Sequence, residues 1–259
     1  MTPDRNEGRT QNDPSGSKAS TWQPRTGNPV DEAEVRTMFD RIAPTYDRLN
    51  TLLSFGSDGR WRRAAVRATG VRSGDRVIDV ACGSGKLAAE LARAVGPPGH
   101  VTGVDFSPGM IEVARRRQSA LAQLDFVVAN ALALPVADGS FDAATIAFAL
   151  RNLADFEAGF RELARVVRPG GRVVCLELSL PRPAWWGRLF HGVFRRVSPL
   201  LGAAVGQHEA YRYLPASLEG FPDADRLADT MRAAGLVDVR YRRFGLGSVA
   251  LHVGSVRGA

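Results

Sequence analysis

The stretch Val77–Leu91 places an acidic residue and two glycines at a spacing that suits the binding of a nucleoside ligand. Its sequence is VIDVACGSGKLAAEL, so an apolar run reaches Asp79 and a glycine-rich turn then leads into a helical pattern. A Walker phosphate loop needs a glycine five residues before its Gly-Lys pair and a Ser or Thr after the lysine. Val80 and Leu87 stand at these two positions, so the stretch is not a Walker loop.

The same glycines fit the G-x-G-x-x-A pattern of dinucleotide-binding loops, with Asp105 following 20 residues beyond Gly85. A carboxylate there can accept hydrogen bonds from the ribose of any adenosine-containing ligand. A pyrophosphate would be repelled by Asp79, whereas S-adenosylmethionine (SAM) brings an ammonium and a sulfonium and no phosphate. The alternative is that Asp79 caps a turn. The combination favours SAM.

A parallel sheet is needed to bring these side chains together. Apolar runs predict strands at 76–81, 100–105, 125–129, 141–147 and 171–178, and helical patterns separate most of them at 86–95, 108–122 and 155–167. This alternation predicts an α/β fold whose parallel sheet is covered on both faces. Ligands of such sheets bind outside the carboxyl ends of the strands, where Asp79, Asp105, Asn130 and Ala147–Asn152 should meet.

The two ends of the chain differ from this central part. Residues 1–30 are rich in Gly, Pro, Ser, Asn and Thr, which predicts a disordered tail, and helical patterns follow over residues 31–69. A helix near 223–234 precedes two strand-like runs, 236–244 and 247–254, which predict an antiparallel hairpin at the sheet edge. We expect one domain over residues 31–259.

One turn inside this domain can be predicted from its residue types. Arg168–Arg172, with the sequence RPGGR, should turn the chain from helix to strand, because proline cannot continue a helix and glycine tolerates positive φ.

The composition is ordinary for a water-soluble globular protein, with 44% hydrophobic and 24% charged residues. No apolar run approaches the roughly 20 residues of a spanning helix, so we expect a cytoplasmic protein. Cys82 and Cys175 lie in apolar runs and should be buried free thiols, and no His/Cys spacing indicates a metal site. The net charge of +7 comes from 32 Arg and two Lys, a compositional bias that does not predict a nucleic-acid partner.

Two long segments resemble the signature regions of the ubiquinone/menaquinone biosynthesis C-methyltransferases. They are MFDRIAPTYDRLNTLLSFGSDGRWRR (Met38–Arg63) and LRNLADFEAGFRELARVVRPGGRVVCLELSLP (Leu150–Pro181), and the C-terminal YRYLPASLEGFPDADRLADTMRAAGL and GLGSVALHVG are similar to that family's ending. The resemblance covers about residues 34–254. It implies a Rossmann-like class I SAM-dependent methyltransferase fold, with a mostly parallel seven-stranded sheet and an antiparallel C-terminal hairpin.

The family resemblance also implies a reaction, the SAM-dependent C-methylation of a polyprenylated quinol ring. The expected conversion is demethylmenaquinol to menaquinol. The alternative is 2-polyprenyl-6-methoxy-1,4-benzoquinol in ubiquinone biosynthesis, or both substrates. A function of another class, a non-catalytic partner protein with a SAM-binding fold, also stays open.

Carried over position by position, the resemblance implies a set of ligand contacts. The SAM contacts would be Ser84, Asp105, Asn130, Ala131 and Ala147, and the predicted set is completed by Asp79, Gly83, Gly85 and Phe106. On the substrate side, Arg151 would stabilise a developing phenolate, Asn152 would orient the same oxygen and Tyr46 would close the pocket. The alternatives are a strand-end turn with a helix cap for Arg151 and Asn152, and helix packing for Tyr46.

Three residues depart from the family's usual pattern. Ser84 replaces a threonine and keeps its hydroxyl, Ala147 stands where serine is common, and Lys86 replaces an acid next to the expected position of the methionine part of SAM. The reversed charge at Lys86 predicts weaker SAM binding unless its side chain points away.

The segment 182–221 is predicted to be a lid insertion. It contains arginines interspersed with Trp and Phe in 182–200, and no acidic residue lies between Glu177 and Glu209. Such a segment suits a lid helix packed on the sheet or a transient contact with an anionic membrane surface, and the two are compatible. The sequence leaves a homodimer open.

Overall fold

The computed structural model describes residues 32–54, 56–179, 181, 217–218 and 221–258. The predicted tail over residues 1–30 and nearly all of the predicted lid lie outside the described residues, so both stay predictions. Among the described helices, none has the length and apolar character needed to cross a membrane.

Seven strands form one sheet in the order β3-β2-β1-β4-β5-β7-β6. They are β1 (Arg76–Val80), β2 (His100–Asp105), β3 (Leu124–Val128), β4 (Phe141–Ala147), β5 (Val167–Leu178), β6 (Val237–Phe244) and β7 (Val249–Ser255). The first five pair in parallel, and β7 pairs antiparallel with both β5 and β6. The predicted mostly parallel sheet with a C-terminal hairpin is therefore confirmed.

Seven α-helices are described along the same chain. They are α1 (Glu32–Ile42), α2 (Tyr46–Leu53), α3 (Asp58–Thr69), α4 (Lys86–Val95), α5 (Pro108–Arg117), α6 (Phe156–Val166) and α7 (Ala224–Ala233). Successive strand residues point to opposite faces of the sheet, so the core divides into two apolar clusters. One contains Phe160 of α6 and Met231 of α7, and the other contains Ala65 of α3, Leu91 of α4 and Ile111 of α5.

Helix α5 is shorter than the predicted 108–122. Its start follows the expected chemistry, because the Ser107 side chain accepts a hydrogen bond from the Met110 N–H and Pro108 occupies the first turn. Its end comes at Arg117, since Gln118 leaves helical geometry with φ −109°. The chain then turns so that Leu121 packs against the core.

The turn predicted at Arg168–Arg172 is wrong in its bounds. Strand β5 already begins at Val167 and includes this stretch. Its register against β4 shifts, because Val167 lies opposite Phe141 whereas Arg172 lies opposite Ala143. Gly170 takes φ +77°, so the bend that the glycines permit is absorbed as a bulge within the strand.

Candidate functional site

A cleft of about 650 Å³, including space open to solvent, lies at the carboxyl ends of β1 to β4. Its position is where an open α/β sheet is expected to bind ligands. Seven of the predicted site residues line it: Tyr46, Gly83, Asp105, Phe106, Asn130, Ala131 and Asn152. Phe148, within the stretch Ala147–Asn152 expected at this edge, also lines it, as do Phe39, Ala81 and Met110, which were not predicted.

Two strained backbone positions lie at this cleft. Of the four described non-glycine residues with positive φ, two line it: Ala81 after β1, at φ +53°, and Phe148 after β4, at φ +56°. Such conformations persist only where the surrounding structure enforces them, and they cluster at functional sites. The strain is therefore an independent indication that these strand ends form a binding site.

The glycine loop after β1 is held tightly against β2. The Gly83 N–H donates to Asp105 Oδ2 at 2.8 Å. Gly85 has φ +79°, and a Cβ there would lie 2.7 Å from the Phe126 ring, so both the conformation and the space require glycine. The two glycines thus serve to bring the loop close to the end of β2.

Asp105 presents a carboxylate to the cleft. Its Oδ1 accepts the Ser107 N–H at 3.0 Å and its Oδ2 accepts the Gly83 N–H. Burial raises the pKa of Asp105 to about 6, although these two donors oppose the shift. A carboxylate oxygen can accept more than one hydrogen bond, so both retain capacity for the hydroxyls of a ribose.

Asp79 lies behind the cleft wall that Ala81 and Gly83 form. Its side chain is almost fully buried, and its Oδ1 accepts the Thr145 hydroxyl at 2.6 Å. Its Oδ2 has no hydrogen-bond partner among the described residues, and burial raises the pKa of Asp79 to about 7. A buried carboxylate that forms no ion pair among the described residues fits a ligand that brings positive charge, which is the character of SAM.

The third strand end supplies an amide and an apolar wall. Asn130 Oδ1 accepts the Leu132 N–H at 2.9 Å, which leaves the side-chain nitrogen to donate toward the cleft. Phe106 contacts Phe39 edge to face, with ring centroids 6.3 Å apart. An adenine ring needs such a combination of flat apolar surface and polar edge.

Four residues of the predicted SAM set are not among the described residues that line the cleft: Asp79, which lies behind its wall, and Ser84, Gly85 and Ala147. The Ser84 hydroxyl donates to Asp47 Oδ1 at 2.6 Å, away from the position expected of a ligand contact. Gly85 starts α4 beneath Phe126. Ala147 packs within the apolar cluster of α3 and α4, while its neighbour Phe148 faces the cleft.

Tyr46 lies at the start of α2, above the glycine loop. Its ring contacts Phe39 edge to face with centroids 5.9 Å apart, and a Cβ on Gly83 would lie 3.6 Å from it. Burial raises the pKa of Tyr46, while nearby Arg151 opposes the rise. The hydroxyl therefore keeps its proton at neutral pH and can act as a donor.

Arg151 follows β4 in a short 3₁₀ turn, Leu150–Asn152, and is bound on several sides. Its Nη1 donates to Glu177 Oε1 at 2.7 Å and to the Phe148 carbonyl at 2.6 Å, and its Nε donates to Ser217 Oγ at 3.3 Å. Its Nη2 has no acceptor in the part of the chain that the structure describes. Both members of the Arg151–Glu177 pair are buried.

Glu177 is a charged residue of the site that sequence reasoning missed. It lies inside the apolar run of β5, where no neighbouring polar residue suggests a functional site. Its partner, Arg151, is 26 residues away in the sequence. Only the pairing of β4 with β5 brings the two together.

The reversed charge at Lys86 is compensated within the protein. Its Nζ lies 3.5 Å from Asp47 Oδ1 and 4.0 Å from Asp58 Oδ2, and both carboxylates are more buried than the lysine. The predicted free thiols are confirmed, with Cys175 buried and Cys82 partly so. Burial raises the pKa of both thiols.

Comparison with known proteins agrees with this geometry. The model of the ubiE/COQ5 methyltransferase family matches residues 28–256. The chain belongs to this family. It is therefore a methyltransferase, and the family resemblance drawn from its signature regions is confirmed. Membership implies SAM as the methyl donor.

Two curated relatives and one solved structure illustrate the similarity. The demethylmenaquinone methyltransferase of Thermus thermophilus is 48% identical over 84% of this chain and 99% of the relative. That of Geobacillus kaustophilus is 39% identical over 87% of this chain and 98% of the relative. A SAM-dependent methyltransferase from Aquifex aeolicus superposes with a TM-score of 0.57 at 15% identity, covering 88% of this chain and 99% of that one, which shows the fold alone.

Proposed function

We propose that the protein transfers the methyl group of SAM to a ring carbon of demethylmenaquinol, where it replaces a hydrogen, giving menaquinol, S-adenosylhomocysteine and a proton. The observation that carries the substrate is the name shared by relatives at 48% and 39% identity that align along nearly their whole length. The cleft supports the methyl donor, because Asp105 presents a carboxylate suited to a ribose and the buried carboxylate of Asp79, one of whose oxygens has no hydrogen-bond partner among the described residues, lies behind its wall.

In this proposal each end of the cofactor has a residue that suits it. The Asp105 carboxylate accepts hydrogen bonds from the ribose hydroxyls, and the Asn130 amide contacts the adenine edge between Phe106 and Ala131. The Asp79 carboxylate, behind Gly83, attracts the positively charged methionine end. SAM contains no phosphate group, so the carboxylates of Asp79 and Asp105 do not repel it as they would repel a dinucleotide.

Bound SAM would supply an electrophilic methyl group for an in-line displacement. The protein's part is then to hold the acceptor carbon against it and to exclude water, which can account for much of the acceleration. Phe39, Phe148 and Leu153 give the cleft the apolar surface that this requires.

The acceptor ring becomes more nucleophilic as its neighbouring hydroxyl loses a proton. Arg151 is not among the described residues that line the cleft, although its neighbour Asn152 is. It cannot act as a base, but in this proposal its Nη2 donates to the developing oxyanion, because Nη1 and Nε are already bound. Asn152 orients the same oxygen from the cleft wall, and Tyr46 donates from the opposite side. The Glu177 charge offsets that of Arg151, so stabilisation here comes from an aimed hydrogen bond more than from net positive charge.

The lipid tail of such a substrate needs a route into the cleft. The predicted contact of residues 182–200 with an anionic membrane surface would provide one, and it lies outside the described residues. The reversed charge at Lys86 was one reason to consider a non-catalytic partner protein, because it was expected to weaken SAM binding. Asp47 and Asp58 compensate that charge, so this reason no longer supports the alternative.

The test is methyl transfer from labelled SAM to reduced short-chain acceptors. Demethylmenaquinol and the methoxybenzoquinol of ubiquinone synthesis would be assayed in parallel, with Asp105→Ala as the variant and Glu157→Ala on α6 as the matched surface control. Label in the naphthoquinol that is lost in Asp105→Ala alone supports the proposal. Label only in the benzoquinol would replace it by the alternative substrate, and no label in either would refute quinol methylation.

A further inference from the structure

Asp47, in the first turn of α2, contacts three side chains from two other elements. Its Oδ1 accepts the Ser84 hydroxyl at 2.6 Å and lies 3.5 Å from Lys86 Nζ, and its Oδ2 pairs with Arg117 at the end of α5. The carboxylate is mostly buried, with 14% of the side chain exposed. A single group thus joins α2 to the glycine loop and to α5.

Asp40 makes an equivalent junction on α1. Its Oδ1 accepts the Ser107 hydroxyl at 2.5 Å, in the loop after β2, and the Gly109 N–H at 2.9 Å, in the first turn of α5. Phe39 and Tyr46, which line the cleft, directly precede Asp40 and Asp47. In both α1 and α2, an aromatic residue that lines the cleft is therefore followed directly by an aspartate. The carboxylate of that aspartate is hydrogen-bonded to a loop at the end of β1 or β2.

The charges around Asp47 explain why this junction is strong. Lys86 stands at the start of α4, where the helix dipole disfavours a cation. Asp47 and Asp58 approach it from α2 and α3, and in partly buried surroundings such ion pairs are less screened than on the open surface. The loop is therefore held in place by both a charge-assisted hydrogen bond and ion pairs.

We infer that Asp47 is a positioning residue: its carboxylate fixes Ser84 and Lys86 of the glycine loop to the helix that carries Tyr46. Ser84 then contributes to cofactor binding through Asp47 and not by touching SAM. This differs from the direct contact that the family resemblance implies for Ser84. The inference rests on the proposed binding of SAM in the cleft.

A double-mutant cycle on the full-length protein tests it. Asp47→Ala, Ser84→Ala and the double variant are compared by calorimetric titration with S-adenosylhomocysteine. Each single change should weaken binding by about tenfold, the usual scale for a hydrogen bond to a charged group. The double variant should be no weaker than the weaker single variant, because both changes remove the same junction.

The opposite result is equally definite. If Ser84 contacts the cofactor directly, its removal still weakens binding after Asp47→Ala, so the losses multiply to about a hundredfold and the inference is overturned. Wild-type affinity in Asp47→Ala would overturn it as well. If the wild-type protein itself fails to bind S-adenosylhomocysteine, the proposed function fails, which distinguishes the two claims.

Two further variants separate positioning from general stability. Asp47→Asn keeps an oxygen that can accept the Ser84 hydroxyl but loses the ion pairs, so its affinity should lie between those of the wild type and Asp47→Ala. Glu157→Ala removes an acid of α6 that pairs with Arg161 on the surface, far in sequence from the loop, and should leave the affinity unchanged. Equal affinities of Asp47→Asn and Asp47→Ala would show that Ser84 takes no part in the junction.

Discussion

Asp79 on β1 and Glu177 on β5 are both almost completely buried, yet within the described part of the chain only Glu177 forms an ion pair. Glu177 pairs with Arg151 at 2.7 Å and also accepts the Leu178 N–H at 2.8 Å. Asp79 accepts the Thr145 hydroxyl at 2.6 Å, and burial raises its pKa to about 7, although the Thr145 hydroxyl, the Ala88 N–H and the more distant charge of Arg62 oppose the rise. The protein pairs one buried carboxylate with a cation in direct contact, whereas no cation of the described residues forms an ion pair with the other.

This difference separates the two halves of the site. On the β4–β5 side, where the acceptor is proposed to bind, a buried pair holds Arg151 in a fixed position before any ligand arrives. On the β1–β2 side, the carboxylates of Asp79 and Asp105 both have raised pKa values, and a cationic ligand would reduce the cost of their ionisation. Affinity for the cofactor and rigidity around the acceptor thus have different electrostatic sources.

The largest effect on stability is expected when the Arg151–Glu177 ion pair is removed. Glu177→Ala leaves the Arg151 guanidinium buried without its anion, which should lower the free energy of unfolding by about 3–5 kcal/mol. Urea unfolding followed by circular dichroism measures it. The control replaces both partners, Glu177→Leu with Arg151→Met, and should recover most of the stability while methyl transfer stays lost. Equal instability of the single and double variants would contradict this account.

A smaller effect of the opposite sign is expected at Asp79. The folded pKa of about 7 lies above the ordinary value of 3.8, so its contribution to stability is fully present below about pH 4 and lost as the pH rises through 7. The difference between these pKa values corresponds to about 4 kcal/mol as an upper bound. Asp79→Asn keeps an acceptor for Thr145, and at pH 8 it should stabilise the unliganded protein by about 2 kcal/mol.

Thermal unfolding at several pH values measures the Asp79→Asn effect. The gain should shrink as the pH falls from 8 toward 5, and S-adenosylhomocysteine should bind the variant more weakly. Stability and cofactor affinity then move in opposite directions, which a residue serving only to pack the core would not do. A variant less stable than the wild type at pH 8 would contradict the account.

Much of the cofactor side follows from sequence because its signals are local. The apolar runs that end at Asp79 and Asp105, and the glycines between them, predict both the strands and the edge at which they meet. The bend at Gly170 was also visible, but whether it ends a strand or forms a bulge depends on the pairing of β5 with β4. Element types were therefore more predictable than their bounds.

The acceptor side and the helical junctions depend on contacts between distant segments. Glu177 resembles any residue of a buried strand until Arg151 is placed beside it. Asp47 likewise lies 37 residues before Ser84, and no periodicity links the two. A charge reversal such as Lys86 can be judged only when Asp47 and Asp58 are seen around it.

The smallest expected effect is a pH dependence of cofactor binding in the wild-type protein. Ionised Asp79 attracts the positively charged end of the ligand, and in the unliganded protein it is mostly protonated at pH 6 and mostly ionised at pH 8. Binding at pH 6 must first remove that proton, so S-adenosylhomocysteine should bind about tenfold more weakly there than at pH 8. Asp79→Asn should flatten most of this dependence, with a residual slope from Asp105, whose pKa is about 6. Glu177→Gln should leave the slope as in the wild type, because Glu177 is already paired with Arg151. If the wild type shows no slope, the cation of the ligand does not bind at Asp79, and the unpaired carboxylate on β1 needs another explanation.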